Sequence, residues 1–226
     1  MLPFARQLCE DYARLLEQVD ELGNLKSGLI RIGTFSSVAT HWLPKIIRAF
    51  QKDYPNIEYE MLLGDYTEIE NWIEEGRVDF GFLRLPVNPA LEQILLQEDE
   101  LMAVIPKHHP LAKEKAFPVA ALNEEPFMLL EKGGKAEIAE IFKRNKITQQ
   151  VKFNTWDDYA IMSMVEQGLG ISILPKLILK RIPYEVAVLP LDKPAYRKIG
   201  LAFRSRKLLP AAAKKFLEYL DSRETE

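Results

Sequence analysis

Cysteine is almost absent: Cys9 stands alone in 226 residues, so no intrachain disulfide can form and no cysteine pair offers a zinc or redox spacing. Such usage suits a reducing compartment, and a cytoplasmic location is expected. Histidine is scarce too. The adjacent pair His108-His109 cannot act like ligands four apart on a helix, His41 lies far from both, and no HExxH accompanies them, so no metal is expected. Any run of about 18 uncharged apolar residues is missing, and Arg6, Glu10, Asp11 and Arg14 stand where a secretory signal would carry its apolar stretch. Neither a membrane segment nor export is expected. Excess charge of one sign is lacking as well: 30 Lys and Arg against 33 Asp and Glu leave a formal −3, which argues against this segment gripping a nucleic-acid backbone by itself. No GxSxG, GxxxxGK[ST] or GxGxxG follows a strand, so acyl transfer, phosphate-loop and dinucleotide chemistry lack their usual marks. No enzyme activity and no resident cofactor are expected.

What is present is an ordinary globular composition, 47% hydrophobic and 28% charged, which can build a core. Near the amino terminus, Leu8, Tyr12, Leu15, Val19 and Leu22 follow a 4-3-4-3 spacing, a coiled-coil-like seam ending near Gly23. The same pattern would also serve a helix packed on its own domain. Then Leu29 to Thr34 reads as a strand, followed by the loop Phe35-Ser36-Ser37. Leu43, Ile46, Ile47, Phe50 and Tyr54 mark a helix with Pro44 in its first turn. Ile57, Tyr59, Met61 and Leu63 alternate with acids as an edge strand does, Thr67-Glu68-Ile69-Glu70 has a capping-box pattern, and Val78 to Leu83 is a buried strand. Strand, helix, strand, helix, strand in this order predicts a parallel βαβαβ unit.

Beyond Pro89, strands at Leu91 to Leu96 and Leu101 to Ile105 flank Gln97-Glu98-Asp99-Glu100, a run too polar for a core and therefore expected at a hinge. A second unit follows: strand Phe127 to Leu130, helix from about Lys135 to Asn145, strand Val151 to Phe153, helix from about Trp156 to Gln167, strand Ile171 to Leu174. Strands Val186 to Leu189 and Ile199 to Phe203 and a helix from about Pro210 to Leu220 close the chain. If that tail returns to the first lobe, the hinge has two strands. The expected organisation is a helix in 1–27, lobe I in 28–98 and 193–226, and lobe II in 99–192.

Several ordered segments resemble the effector-binding domain of LysR-type transcriptional regulators. They are Gly28-Leu29-Ile30-Arg31-Ile32-Gly33, then Leu43-Pro44 with Phe50 and Tyr54-Pro55, Val78-Asp79-Phe80-Gly81-Phe82, Val104-Ile105-Pro106 with His109-Pro110-Leu111-Ala112, and Val165 through Pro175. The resemblance implies an α/β fold of two Rossmann-like lobes joined by a two-strand hinge, like type 2 periplasmic binding proteins, behind a dimerising linker helix. It also implies a homodimer or tetramer and a small-molecule effector, commonly a carboxylate-like metabolite. DNA would be bound only through a winged helix-turn-helix that this sequence lacks, which reads as truncation. Enzymes and solute-binding proteins use the same fold and remain alternative readings.

In open α/β sheets the ligand crevice lies beyond the carboxyl ends of the strands. That rule selects Thr34, Phe35, Ser36, Ser37, Asp65 and Arg84 in lobe I, and Leu130, Glu131, Lys132, Trp156 and Ile171 in lobe II. The hydroxyls of Thr34, Ser36 and Ser37 suit a carboxylate, or simply cap the following helix. Asp65 and Glu131 suit an amine or hydroxyl, Arg84 an anion, and Trp156 a stacking partner. Asp157-Asp158 is read as helix-start chemistry after Thr155 rather than as an acid pair.

Overall fold

The structure, a computed structural model, describes residue 25 and residues 27–130, 137–148 and 151–224. The helix expected at Leu8 to Leu22, like Glu131 and Lys132, lies outside the described residues.

Lobe I opens with the predicted alternation. β1 (Gly28–Thr34) leads through α1 (Ser36–His41) and α2 (Leu43–Asp53) to β2 (Ile57–Leu63), and α3 (Tyr66–Glu74) leads to β3 (Phe80–Arg84). β1 pairs in parallel with both β2 and β3, so it is the inner strand and buries Ile30 and Ile32 completely. β2 takes the edge that its alternation of apolar and acidic residues implies. Leu43, Ile46 and Phe50 of α2 fall on one face and are buried, with Pro44 at a position where a helix needs no N–H donor. The capping box lies two residues before the expected one. Asp65, not Thr67, is the N-cap of α3; its side chain accepts from the Glu68 N–H at 2.8 Å while Glu68 accepts from the Asp65 N–H at 2.9 Å. Both Asp65-x-x-Glu68 and Thr67-x-x-Glu70 satisfy the sequence rule, and the stop of β2 at Leu63 selects the earlier one.

The acidic run does not separate two strands. Gln97 to Glu100 lie inside β4 (Glu92–Pro106), a 15-residue strand with a bulge between Leu95 and Gln97. Its first part pairs antiparallel with β9 (Tyr196–Phe203), and its last part pairs with β7 (Ser172–Pro175) and β8 (Val186–Pro190). β9 in turn pairs antiparallel with β3, so the carboxyl-terminal tail does return to lobe I, giving a strand order β2-β1-β3-β9-β4-β7. Two antiparallel strands thus run between the lobes. The polar run is accommodated because Asp99, 2% exposed, faces Arg197 directly across the ladder.

Lobe II carries β5 (Phe127–Leu130), α4 (Glu137–Asn145), β6 (Val151–Thr155) and α5 (Asp158–Glu166), with β5 and β6 parallel. Period-two alternation sorts its core into two layers: Leu101, Ala103, Ile105, Ile171 and Ile173 pack with Phe117 and Phe127, while Val104 and Leu174 pack with Met128, Ile161 and Val165 on the other face. The N-cap of α5 is Asp157, which accepts from the N–H groups of Tyr159 and Ala160; Thr155 stands two residues back and its hydroxyl accepts from the Asp157 N–H. A shorter chain end than expected, α6 (Ala211–Phe216) followed by a 3-10 segment to Glu224, packs Ala212, Phe216 and Leu220 into the lobe I core.

One half-buried acid of lobe I titrates where stability can report it. Asp79 accepts from the Arg31 backbone N–H at 2.7 Å, but burial outweighs that bond and nearby Arg31 and Arg204, pushing its carboxyl up to about 6 from 3.8. Between those values the folded chain holds a proton that the unfolded chain releases. The contribution is therefore full below the lower value and is lost as pH rises through about 6. Asp79→Asn, whose amide oxygen still accepts from Arg31, is expected to flatten the pH dependence of urea unfolding across that window and to raise stability at neutral pH. An unaltered slope would show that Asp79 is ionised in the folded state throughout.

Candidate functional site

The carboxyl ends of β1 and β2 supply the lobe I side of the cleft. There the Gly64 N–H donates to the Thr34 carbonyl at 3.0 Å, which brings the junction of β1 and α1, expected as the loop Phe35-Ser36-Ser37, alongside Asp65 and Tyr66. Phe35, extended and fully buried, meets the Tyr66 ring edge-on at 5.1 Å between centroids. The Thr34 hydroxyl, also buried, reaches its neighbour's carbonyl, at 3.5 Å, and no other partner among the described residues.

Arg197, 4% exposed, organises this corner. Its Nε and one terminal nitrogen donate to Asp99 at 2.9 and 2.7 Å; the same terminal nitrogen donates to the Ser37 hydroxyl at 2.9 Å, and the other to the Tyr66 hydroxyl at 2.8 Å. The guanidinium also sits over the Phe35 ring, 5.1 Å from its centroid. The second oxygen of Asp99 accepts from the Leu177 N–H at 2.9 Å. Leu177 packs in the lobe I core while its neighbour Ile178 packs in lobe II. The buried ion pair on the two crossing strands is thus tied to the β1 loop, the α3 start and the turn after β7.

Neither Arg197, Asp99 nor Tyr66 stood among the residues selected from sequence. The signal was available as charge complementarity: the acids of 98–100 face cations from elsewhere in the chain, with Lys198 to Glu98 at 3.6 Å, Arg197 to Asp99 and Lys176 to Glu100 at 3.2 Å.

A second part of the cleft lies at the end of β3. Arg84, Leu101, Glu140, Ile141, Arg144, Pro194, Ala195 and Tyr196 line a cavity of about 240 Å³. Arg84 reaches Glu140 of α4 at 3.7 Å, an ion pair from one lobe to the other. Of the remaining selected residues, Ser36 begins α1 half-buried, Asp65 serves as the α3 cap, and Leu130 ends β5 half-buried against the lobe II core. Trp156 is 72% exposed, beyond β6. Ile171 is not brought to the cleft: it is 1% exposed and bridges Phe127 at the start of β5, because the expectation took the entering end of β7 for its carboxyl end.

His109 and His41 sit within the packing of the fold. His109 accepts from the Leu111 N–H on Nδ1 and meets Glu125 through Nε2 at 2.9 Å, fixing a turn. His41, buried where α1 meets the segment at Ile178, has its affinity for a proton lowered chiefly by that burial. Among the described residues, no group of three or more His, Cys, Asp and Glu side chains could hold a metal ion, and no helix is long and apolar enough to cross a membrane.

Residues 23–224 match the LysR substrate binding domain. A relative, the uncharacterized HTH-type transcriptional regulator YvbU of Bacillus subtilis (strain 168), is 30% identical over 209 residues, covering 90% of this chain and 71% of its own length. The regulatory domain of CcmR from Synechocystis PCC6803, solved in complex with 2-PG, superposes with a TM-score of 0.79 at 23% identity, over 88% of this chain and 98% of that one. The BenM effector binding domain, solved with its effector benzoate, superposes with a TM-score of 0.75 at 25% identity, over 86% and 90%. With a family match that spans both lobes, the chain belongs to the LysR substrate-binding domain family.

Proposed function

We propose that this domain senses a small carboxylate-like metabolite in the cleft between its lobes and passes the event to a DNA-binding domain of a transcriptional regulator. The observation that carries this reading is the hydroxyl corner: Thr34, Ser36, Ser37 and Tyr66 gather at the carboxyl ends of β1 and β2, next to the crossing strands. Hydroxyl donors held in place recognise an anion's oxygens without placing a net charge in the site. Benzoate, which the BenM domain holds, has this chemistry. Arg84 and Arg144, from opposite lobes, line the adjoining cavity and add cations within the same cleft.

The buried apolar residues of 28–98 and 193–226 form one cluster and those of 99–192 form two others, Leu177 alone crossing to the first, which supports lobe I as 28–98 with 193–226 and lobe II as 99–192. Ligand touching both lobes would favour a closed arrangement over an open one in proportion to its differential affinity, and a coupling of about 1–3 kcal/mol is enough for a working switch. The reading includes a homodimer or tetramer, a cytoplasmic location, DNA contact through another domain, and no catalytic role for this one.

Calorimetric titration of the chain with benzoate, succinate and inorganic phosphate tests the proposal. Saturable binding of at least one carboxylate is expected, weakened about tenfold, or roughly 1.4 kcal/mol, by Thr34→Ala or Ser36→Ala. Binding unaffected by both substitutions would remove the loop from the site, and no heat with any of the probes would overturn the reading.

A further inference from the structure

Resting on that reading, we infer that Arg197 is the specificity-determining residue of the cleft: it binds no effector itself, but commits Ser37 and Tyr66 to donate, so that the site selects an acceptor-only group such as a carboxylate. A hydroxyl has one proton and two lone pairs and ordinarily rotates to suit either a donor or an acceptor. Here the guanidinium donates to both oxygens, at 2.9 Å for Ser37 and 2.8 Å for Tyr66. A guanidinium has no acceptor, so neither hydroxyl proton can turn toward it. Each must point elsewhere, and among the described residues the Ser37 hydroxyl has no other hydrogen-bond partner than Arg197.

Asp99 completes the device. By taking two of the guanidinium's N–H groups it fixes the plane of Arg197 and cancels its charge, so Arg197 sets donor direction rather than attracting anions through space. A carboxylate turns one oxygen to each donor, whereas an amide in the same pose sets its N–H group against one of them and leaves that donor unpaired, a mismatch that is costly when the donor is buried. Ser37 is 2% exposed. Because Asp99 and Arg197 lie on the two strands that run between the lobes, the same pair holds the recognition corner to the crossing point.

The test compares each carboxylate with its uncharged isostere, benzoate with benzamide and succinate with succinamide, by calorimetry on the whole chain. The wild type is expected to prefer the carboxylate at least tenfold. Ser37→Ala and Tyr66→Phe, which leave the ion pair intact, should each weaken the carboxylate several-fold and scarcely affect the amide. The double variant Asp99→Asn with Arg197→Gln exchanges the pair for an uncharged hydrogen-bonding one, and should bring the preference below about threefold. A merely structural role would weaken both probes in parallel, so parallel losses, or an unchanged preference in the hydroxyl variants, overturn the inference while leaving carboxylate sensing in place. Absence of carboxylate binding to the wild type overturns both. If the double variant does not fold, the two single hydroxyl variants decide alone.

Discussion

Asp99→Ala is expected to destabilise the chain by about 3–5 kcal/mol, because it leaves a buried guanidinium without its counter-charge. Arg197 is 4% exposed and directs three of its hydrogen bonds, counting both to one oxygen, at Asp99 and Ser37. The deletion also strips the Leu177 N–H of its acceptor, a further cost for a buried donor. In a chain of this size the loss corresponds to a melting temperature lowered by roughly 6–20 °C. Replacing both partners with Leu and Met should recover most of the stability, since an apolar pair of similar volume avoids desolvating two charges. Urea unfolding of the single and double variants checks this. A loss below about 1 kcal/mol for Asp99→Ala would mean that solvent reaches the guanidinium, contrary to its burial. Recovery of stability without recovery of carboxylate preference would separate what the pair does for folding from what it does for recognition.

Phe216→Ala should cost a similar amount, about 3–5 kcal/mol, for a different reason. Its ring is completely buried and meets Phe50 edge-on at 5.3 Å, Phe80 stacked at 5.7 Å and Tyr59 at 6.2 Å, so three elements of lobe I close on it. Removing it leaves a cavity that the stiff sheet around Phe80 cannot collapse to fill. Because α6 follows β9, its loosening should reach the returning strand, and unfolding of lobe I is expected to precede that of lobe II in hydrogen exchange. The exposed Leu208, on the neighbouring turn, is the control: Leu208→Ala should change stability by less than about 0.5 kcal/mol. A small loss at Phe216 would imply that the carboxyl-terminal segment is docked chiefly by Leu217 and Leu220.

The elements of lobe I were legible because each has a local cause. The i, i+3, i+4 spacing at Leu43, Ile46 and Ile47 can only bury one face of a helix, and the alternation from Ile57 to Leu63 suits an edge strand. Part of the proposed site was legible for the same reason: a carboxyl-end rule selected Thr34, Phe35, Ser36, Ser37 and Arg84. It selected Ile171 mistakenly, since the rule needs the strand's direction and limits, which a glycine-flanked apolar run does not supply. The acidic stretch misled in an instructive way. Taken by itself, Gln97-Glu98-Asp99-Glu100 is too polar to bury, and only a cation nearly a hundred residues away makes Asp99 a strand residue of the interior.

By itself, then, the sequence determined the alternating α/β pattern, the two lobes, the likeness to LysR-type effector-binding domains and the hydroxyl-rich segment at the end of β1, all of which follow from local periodicity or contiguous motifs. Tertiary structure alone decided that β4 runs unbroken between the lobes, that the tail returns as β9, and that Arg197 joins Asp99, Ser37 and Tyr66. Pairings across 98 to 160 positions leave no local trace, because the free energy that selects them is that of burying charge and polar groups only where a partner from elsewhere in the chain arrives.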